Sequence, residues 1–179
     1  MTKSPAAKHS TLAACTLALF ALGASPRPAR AQAMPDWWPG TPERVAIRAQ
    51  IEALSIEYYH RIDHGDAEHA ADLFTPDAIF QPGGTERMVG RAAIRAYYVR
   101  RSKTIRTRHI TTNLRLTYVD ADHVEAVRAF TYYVGETAGN PGPYPAEPSV
   151  GEYRESLVRG ADGMWRYALR VATPVFIRR

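Results

Sequence analysis

The chain has one cysteine in 179 residues, Cys15, and it lies in a segment expected to be removed. A mature domain without cysteine can form no disulfide and offers no thiolate to a metal. Its stability must then come from an apolar core, which about 146 residues are enough to build. A long apolar run is also missing. The most apolar stretch, residues 11–24, is too short to cross a bilayer as a helix. Excess charge of one sign is missing too. Of 23 basic residues, Lys3, Lys8, Arg27 and Arg30 precede residue 34 with no acid among them, which leaves 19 basic against 18 acidic residues beyond. Near-neutrality argues against a nucleic-acid partner. No internal repeat is visible.

The first 33 residues read as a secretory signal. Lys3 and Lys8 form a short positive start, and residues 11–24 form the apolar segment. Cleavage is expected after Ala31 or Ala33, where small residues recur two apart. No twin-arginine pair occurs in this stretch. Leu12-Ala13-Ala14-Cys15 resembles a lipobox, but too little apolar sequence precedes Cys15 for lipidation. The expectation is an exported, periplasmic or secreted protein with no stable membrane anchor once the leader is gone. Residues 34–41 are a linker, whose Trp37 and Trp38 are expected to cover an apolar edge. Residues 42–179 form the domain.

The domain opens with a helix. Thr41 can cap it, Pro42 suits the first helical position, and Glu43 complements the dipole. Ile47, Ile51, Leu54, Tyr58 and Ile62 recur at helical spacing and form one buried face. Gly65 ends the helix after Asp63-His64. Asp66 is expected to cap a second short helix through Phe74, which Thr75-Pro76-Asp77 breaks. Residues 78–81 and 86–89 read as short strands about a Pro82-Gly83-Gly84 turn. A third helix is expected over 91–103, and long strands over 106–119, 123–137, 150–159 and 164–177. Residues 137–149, rich in proline and glycine, read as a loop of lid or interface length. Helices first and antiparallel strands later indicate an α+β domain, with a curved sheet wrapped around the helices.

Four local patterns carry a resemblance. They are Tyr58-Tyr59-His60-Arg61-Ile62-Asp63-His64-Gly65-Asp66, Leu73-Phe74-Thr75-Pro76-Asp77-Ala78, Gly90-Arg91-Ala92-Ala93-Ile94, and His109-Ile110-Thr111-Thr112-Asn113 continuing to Leu116. With the element order, they make residues 42–177 resemble the nuclear transport factor 2-like family, in its SnoaL-like branch. The resemblance implies a cone-like, cystatin-like curved mixed or antiparallel sheet around three N-terminal helices. The local motifs are most similar to cofactor-free lyases of the scytalone dehydratase, hexachlorocyclohexane dehydrochlorinase and bile-acid 7α-dehydratase type. That likeness implies catalytic roles for Asp63 and His109, and further roles for Arg170 and Tyr58.

An imidazole paired with a carboxylate can take a proton next to a carbonyl or leaving group and return it to a departing hydroxyl. Arg170 or Tyr58 would then steady the charge that develops. The implied function is a cofactor-independent lyase, a dehydratase or related elimination enzyme, or a proton-shift isomerase. Its substrate would be small, apolar and cyclic. Tyr59, Tyr97, Tyr98, Phe130, Tyr132 and Asn113 are candidate pocket residues. No metal or other cofactor is expected, and a homo-oligomer, dimer or trimer, is. The rival from another class is a non-catalytic ligand-binding or dimerisation module on the same fold. His60 and His64 stand four apart on a helix, the spacing of a zinc pair, but no third ligand is placed. The basic run Arg100, Arg101, Lys103, Arg106 and Arg108 reads as a solvated helix end.

Strand alternation opposes part of this reading. It groups His109 with Thr111, Asn113 and Arg115, opposite Ile110, Leu114 and Leu116. It groups Arg170 with Arg166, opposite Trp165 and Tyr167. Regular strands would turn both candidates away from the apolar side. Either a β-bulge near Thr111–Asn113 reverses the register, or the apolar side is a second interface.

Overall fold

The computed structural model describes residues 35, 37–84, 86–101, 103–136 and 147–176. The leader, and the greater part of the loop expected over 137–149, lie outside them. Helix α1 runs over Pro42–Asp63 and begins as its cap residues dictate. Thr41 is extended, its side chain accepts a hydrogen bond from Arg44 N at 3.2 Å, and Pro42 takes the first position. Its buried face comprises Ile47, Ile51, Ser55, Tyr58, Tyr59 and Ile62. Gly65, at φ +93°, turns the chain after it, a conformation that glycine adopts without the Cβ clash of other residues.

Residues Ala67–Leu73 form a 3₁₀ helix rather than an α-helix. Asp66 gives no cap bond, because its carboxylate binds the His69 ring three residues on. Strand β1 (Phe74–Gln81) starts earlier than expected and contains Pro76, while β2 is only Met88–Val89. Helix α2 is Arg91–Val99, shorter than the expected 91–103. The long strands β3 (Ile105–Tyr118), β4 (His123–Glu136), β5 (Ser149–Arg159) and β6 (Trp165–Phe176) follow within a residue or two of expectation.

Six strands form one mixed, curved, unclosed sheet in the order β2-β1-β6-β5-β4-β3. β1 runs parallel to β6, and the other neighbours are antiparallel. Among the described residues, two α-helices and the 3₁₀ helix complete the α+β fold. The core lies between α1 and the inner face of the sheet, where Ile51, Phe74, Phe80, Ile94, Leu116, Val124, Leu157 and Tyr167 are almost wholly buried. Trp37 and Trp38 are about half covered. They pack edge to face on one another with centroids 5.7 Å apart, yet remain 48% and 44% exposed.

Two irregularities resolve the register conflict. Along β3, Thr112 pairs with Ala129 but Arg115 pairs with Val127. Asn113 and Leu114 therefore oppose a single residue, which is a one-residue bulge. Asn113 sits at φ +55°, in the left-handed region that asparagine tolerates better than most residues. Before the bulge, Thr107, His109 and Thr111 face inward; after it, Leu114, Leu116 and Tyr118 do. β6 repeats the device: Ser156 pairs with Leu169 and Leu157 with Tyr167, which leaves Ala168 extra. Trp165 and Tyr167 are thereby buried on the same side as Arg170 and Ala172.

Gly151 marks the tightest approach inside the sheet. A Cβ there would stand 2.5 Å from the Thr173 carbonyl oxygen and 2.7 Å from the Phe130 ring. Gly151→Ala is expected to cost about 1–3 kcal/mol through overpacking. Asn113→Val is expected to cost about 1–3 kcal/mol through strain at positive φ, whereas Asn113→Gly stays within about 1 kcal/mol of wild type. Denaturant melts of the three variants check both statements.

Candidate active site

The end of α1 meets the start of β3 across 46 residues of sequence. Asp63 Oδ1 lies 2.8 Å from His109 Nδ1, and the His109 backbone N–H donates to Asp63 Oδ2 at 2.8 Å. Both carboxylate oxygens are thus engaged by one residue, and the two side chains are only 9% and 6% exposed for His109 and Asp63. A carboxylate only accepts, so Nδ1 carries the hydrogen and Nε2 presents its lone pair. The imidazole is held between two aromatic rings, with centroids 5.1 Å away at Tyr59 and 4.8 Å away at Tyr132.

A third group completes the clamp. Thr107 Oγ1 donates to Asp63 Oδ1 at 2.7 Å. It must do so, because its own oxygen accepts from Arg101 Nη2 at 2.7 Å. Arg101 is itself anchored by a bond from Nη1 to the Ile62 carbonyl at 3.0 Å. Donation therefore converges on Asp63, from Arg101 through Thr107 on one side and from His109 on the other. Burial alone would raise the Asp63 carboxyl, but the hydrogen bond and charge of His109, with the Thr107 hydroxyl, outweigh it and hold the carboxyl below its ordinary value.

His109 opens onto a cavity of about 120 Å³ whose walls include Tyr58, Tyr97, Tyr98, Phe130, Tyr132 and Tyr153. Phe80, Ile62, Pro82 and Arg101 complete the lining. Tyr58 and Tyr98 share a hydrogen bond between their hydroxyls. Burial raises the phenols of Tyr58 and Tyr98 far above their usual value, and that of Tyr153 to about 12. These phenols stay protonated at neutral pH, so they can donate hydrogen bonds but cannot serve as bases.

Arg170 sits elsewhere. It is fully buried and does not line the dyad cavity. Its Nη1 pairs with Glu155 Oε1 and its Nη2 donates to the Tyr59 hydroxyl. Its guanidinium packs over Tyr153 at 4.1 Å, Tyr58 at 4.2 Å and Tyr167 at 4.7 Å. Glu155 also accepts from Arg128 Nε at 3.0 Å. Burial works against the Arg170 charge, and Glu155 together with the surrounding tyrosines more than restores it. Arg170 thus stands behind the cavity wall formed by Tyr58 and Tyr153, and bonds Tyr59, whose ring lies against His109.

Of the candidates named from sequence, His109, Tyr58, Tyr97, Tyr98, Phe130 and Tyr132 line this cavity, and Asp63 stands behind His109. Tyr59 backs the imidazole from outside the lining. Asn113 does not join them. Its side of β3 has turned outward at the bulge, and it borders a separate cavity of about 300 Å³ with Arg48, Glu52 and Arg128. His60 and His64 stack on each other at 4.4 Å in solvent, and no metal-ligand cluster occurs among the described residues. Sequence reasoning missed Thr107, Glu155 and Tyr153. It also left Arg101 in solvent, although Arg101 lies three and four residues from Tyr98 and Tyr97, on the inner side of the turn that follows α2.

A SnoaL-like domain model matches residues 43–171 of the chain. No curated protein matches it in sequence. Several solved structures match its fold. A Catenulispora acidiphila protein is 27% identical, with a TM-score of 0.64 over 73% of this chain and 93% of that one. A scytalone dehydratase-like protein from Novosphingobium aromaticivorans is 18% identical, with a TM-score of 0.62 over 75% of this chain and 87% of its own. A hexachlorocyclohexane dehydrochlorinase, LinA type 2, is 22% identical, with a TM-score of 0.61 over 75% of this chain and 88% of its own.

The lowered Asp63 carboxyl implies a stability term with a definite sign. A carboxyl depressed in the folded state contributes fully above its unfolded value of about 4. That contribution is lost as pH falls from there through the folded value. Asp63→Asn is therefore expected to be less stable than wild type at neutral pH and to lose less on acidification, as measured by thermal melts from pH 7 to pH 3.

Proposed function

The chain belongs to the SnoaL-like domain family, and from that premise we propose that it is a cofactor-independent lyase or proton-shift isomerase. Its substrate in this reading is a small cyclic molecule. One observation carries the proposal: the 2.8 Å bond from His109 Nδ1 to a buried, ionised Asp63, with the imidazole on the wall of an aromatic cavity.

In this reading His109 Nε2 removes a proton from a substrate carbon. Asp63 stabilises the imidazolium that forms; the His109 backbone N–H orients the carboxylate, and the bond from Nδ1 then holds the ring. The electron pair of the broken C–H bond becomes a double bond. For elimination the adjacent C–O bond breaks, and the departing hydroxyl takes the proton from His109 and leaves as water. For isomerisation His109 returns the proton to a different carbon. The stack of Tyr59 and Tyr132 about the imidazole keeps it aimed, and the hydroxyls of the cavity remain donors toward oxygen throughout. Dehydratase-like and dehydrochlorinase structures among the fold relatives support elimination as the leading reaction. The proposal includes export of the mature domain after loss of residues 1–33.

The test is a screen of hydroxylated and halogenated single-ring compounds for elimination, followed by two variants. His109→Ala and Asp63→Asn are each expected to lower turnover by about 10²–10⁴-fold, with circular dichroism confirming a folded domain. Activity retained in either variant removes that residue from the mechanism. Binding of ring compounds with no turnover by wild type would favour the non-catalytic module instead.

A further inference from the structure

We propose that Arg101 is the anion-receiving group of the dyad cavity, and that the ligand is a single ring bearing an oxyanion. That oxygen is either a carboxylate or a carbonyl oxygen that becomes an enolate as His109 removes the neighbouring proton. The enolate form rests on the lyase or isomerase reading; the binding of a ring oxyanion does not.

Four observations lead there. First, among the described lining residues Arg101 carries the one permanent charge; the others are aromatic or apolar, apart from His109. Second, Arg170 cannot take the role. It lies behind Tyr58 and Tyr153, outside the lining, with Glu155 and Tyr59 as its partners. Third, Arg101 is anchored without being consumed. Its bonds to Ile62 O and Thr107 Oγ1 use two of five guanidinium donors, and a planar fork suits an oxyanion. A donor already fixed in place spends no reorganisation when charge develops against it. Fourth, the cavity holds about 120 Å³ and opens to solvent. That is somewhat less than an apolar cavity of about 150 Å³ that accepts benzene, so its enclosed part suits nothing larger than one ring. The aromatic walls offer few competing charges, so a charge-assisted bond there is strong.

Arg101 also borders a second, more polar cavity of about 210 Å³, lined in part by Glu68, Lys103 and Arg106. An anion held from that side would meet Lys103 and Arg106 as well, neither of which lines the dyad cavity. The position of the anion is therefore separable by mutation.

The experiment uses 4-nitrophenol, a single ring whose phenolate is coloured, and 4-nitroanisole, its neutral counterpart. Wild type is expected to favour phenolate over phenol by about tenfold, as charge-assisted bonds are roughly twice as strong as neutral ones. The coloured fraction of bound probe at fixed pH reads this preference. Arg101→Met is expected to abolish it while 4-nitroanisole still binds within about threefold of wild type. Arg101→Lys retains part of it, and Lys103→Gln leaves it unchanged. A preference that survives Arg101→Met, or that disappears with Lys103→Gln, overturns the proposal. If Arg101→Met loses both probes through damage to the cavity, Arg101→Gln, which keeps a donor without the charge, decides on the same readout. Neither probe is turned over. A phenolate preference in a protein that neither eliminates nor isomerises any ring compound leaves this site standing and removes the enzyme reading; turnover with no such preference does the reverse.

Discussion

Side chains on a strand alternate with a period of two, and one extra residue reverses every side chain beyond it. The interior of this domain depends on that constraint being broken twice. β3 must present Thr107 and His109 to the cavity at one end and Leu116 and Tyr118 to the core at the other. β6 must present Trp165 and Tyr167 at one end and Arg170 and Ala172 at the other. No uninterrupted strand with these sequences does both. The bulges at Asn113 and Ala168 let a polar site and an apolar core share one concave surface.

The same surface holds a buried ionic assembly that is easily mistaken for the site. Arg128, Glu155 and Arg170 are each at most 3% exposed, two cations sharing one carboxylate. Such groupings rarely add net stability, because desolvation offsets attraction. Here the surplus positive charge is spread over tyrosine faces and one tyrosine hydroxyl. The result is a stiff shelf beneath Tyr59, against which His109 is stacked. The two arginines thus stand in different places, the buried one bonded to the Tyr59 hydroxyl and the half-buried one, Arg101, lining the cavity.

Much of the fold was legible. Thr41-Pro42-Glu43 and the Ile47–Ile62 spacing specify α1, and β-branched runs specify the four long strands. Asp63 and His109 were legible through resemblance, since nothing local links two residues 46 apart. The bulge was one of two ways out of a contradiction, and only an asparagine within a β-branched run hinted at it. Ala168 gave no hint, because alanine between Tyr167 and Leu169 reads as regular strand. Glu155 and Arg128 were illegible because charged residues are usually exposed. Thr107 was illegible because a threonine in a strand is ordinary until its hydroxyl is seen between Arg101 and Asp63.

The bulge at Asn113 also bears on how this domain can change by descent. A substitution in the cavity alters one wall at a time, but loss of the single codon for Asn113 would act on a whole strand. With β3 held by its core residues Leu116 and Tyr118, Thr107 and His109 would move to the outer face, and Arg108 and Ile110 would take their places. A point change around the cavity would thus disturb this site less than a length change in one short run of β3. The site's heritable weak point lies in chain length, several residues from any atom that would meet a substrate.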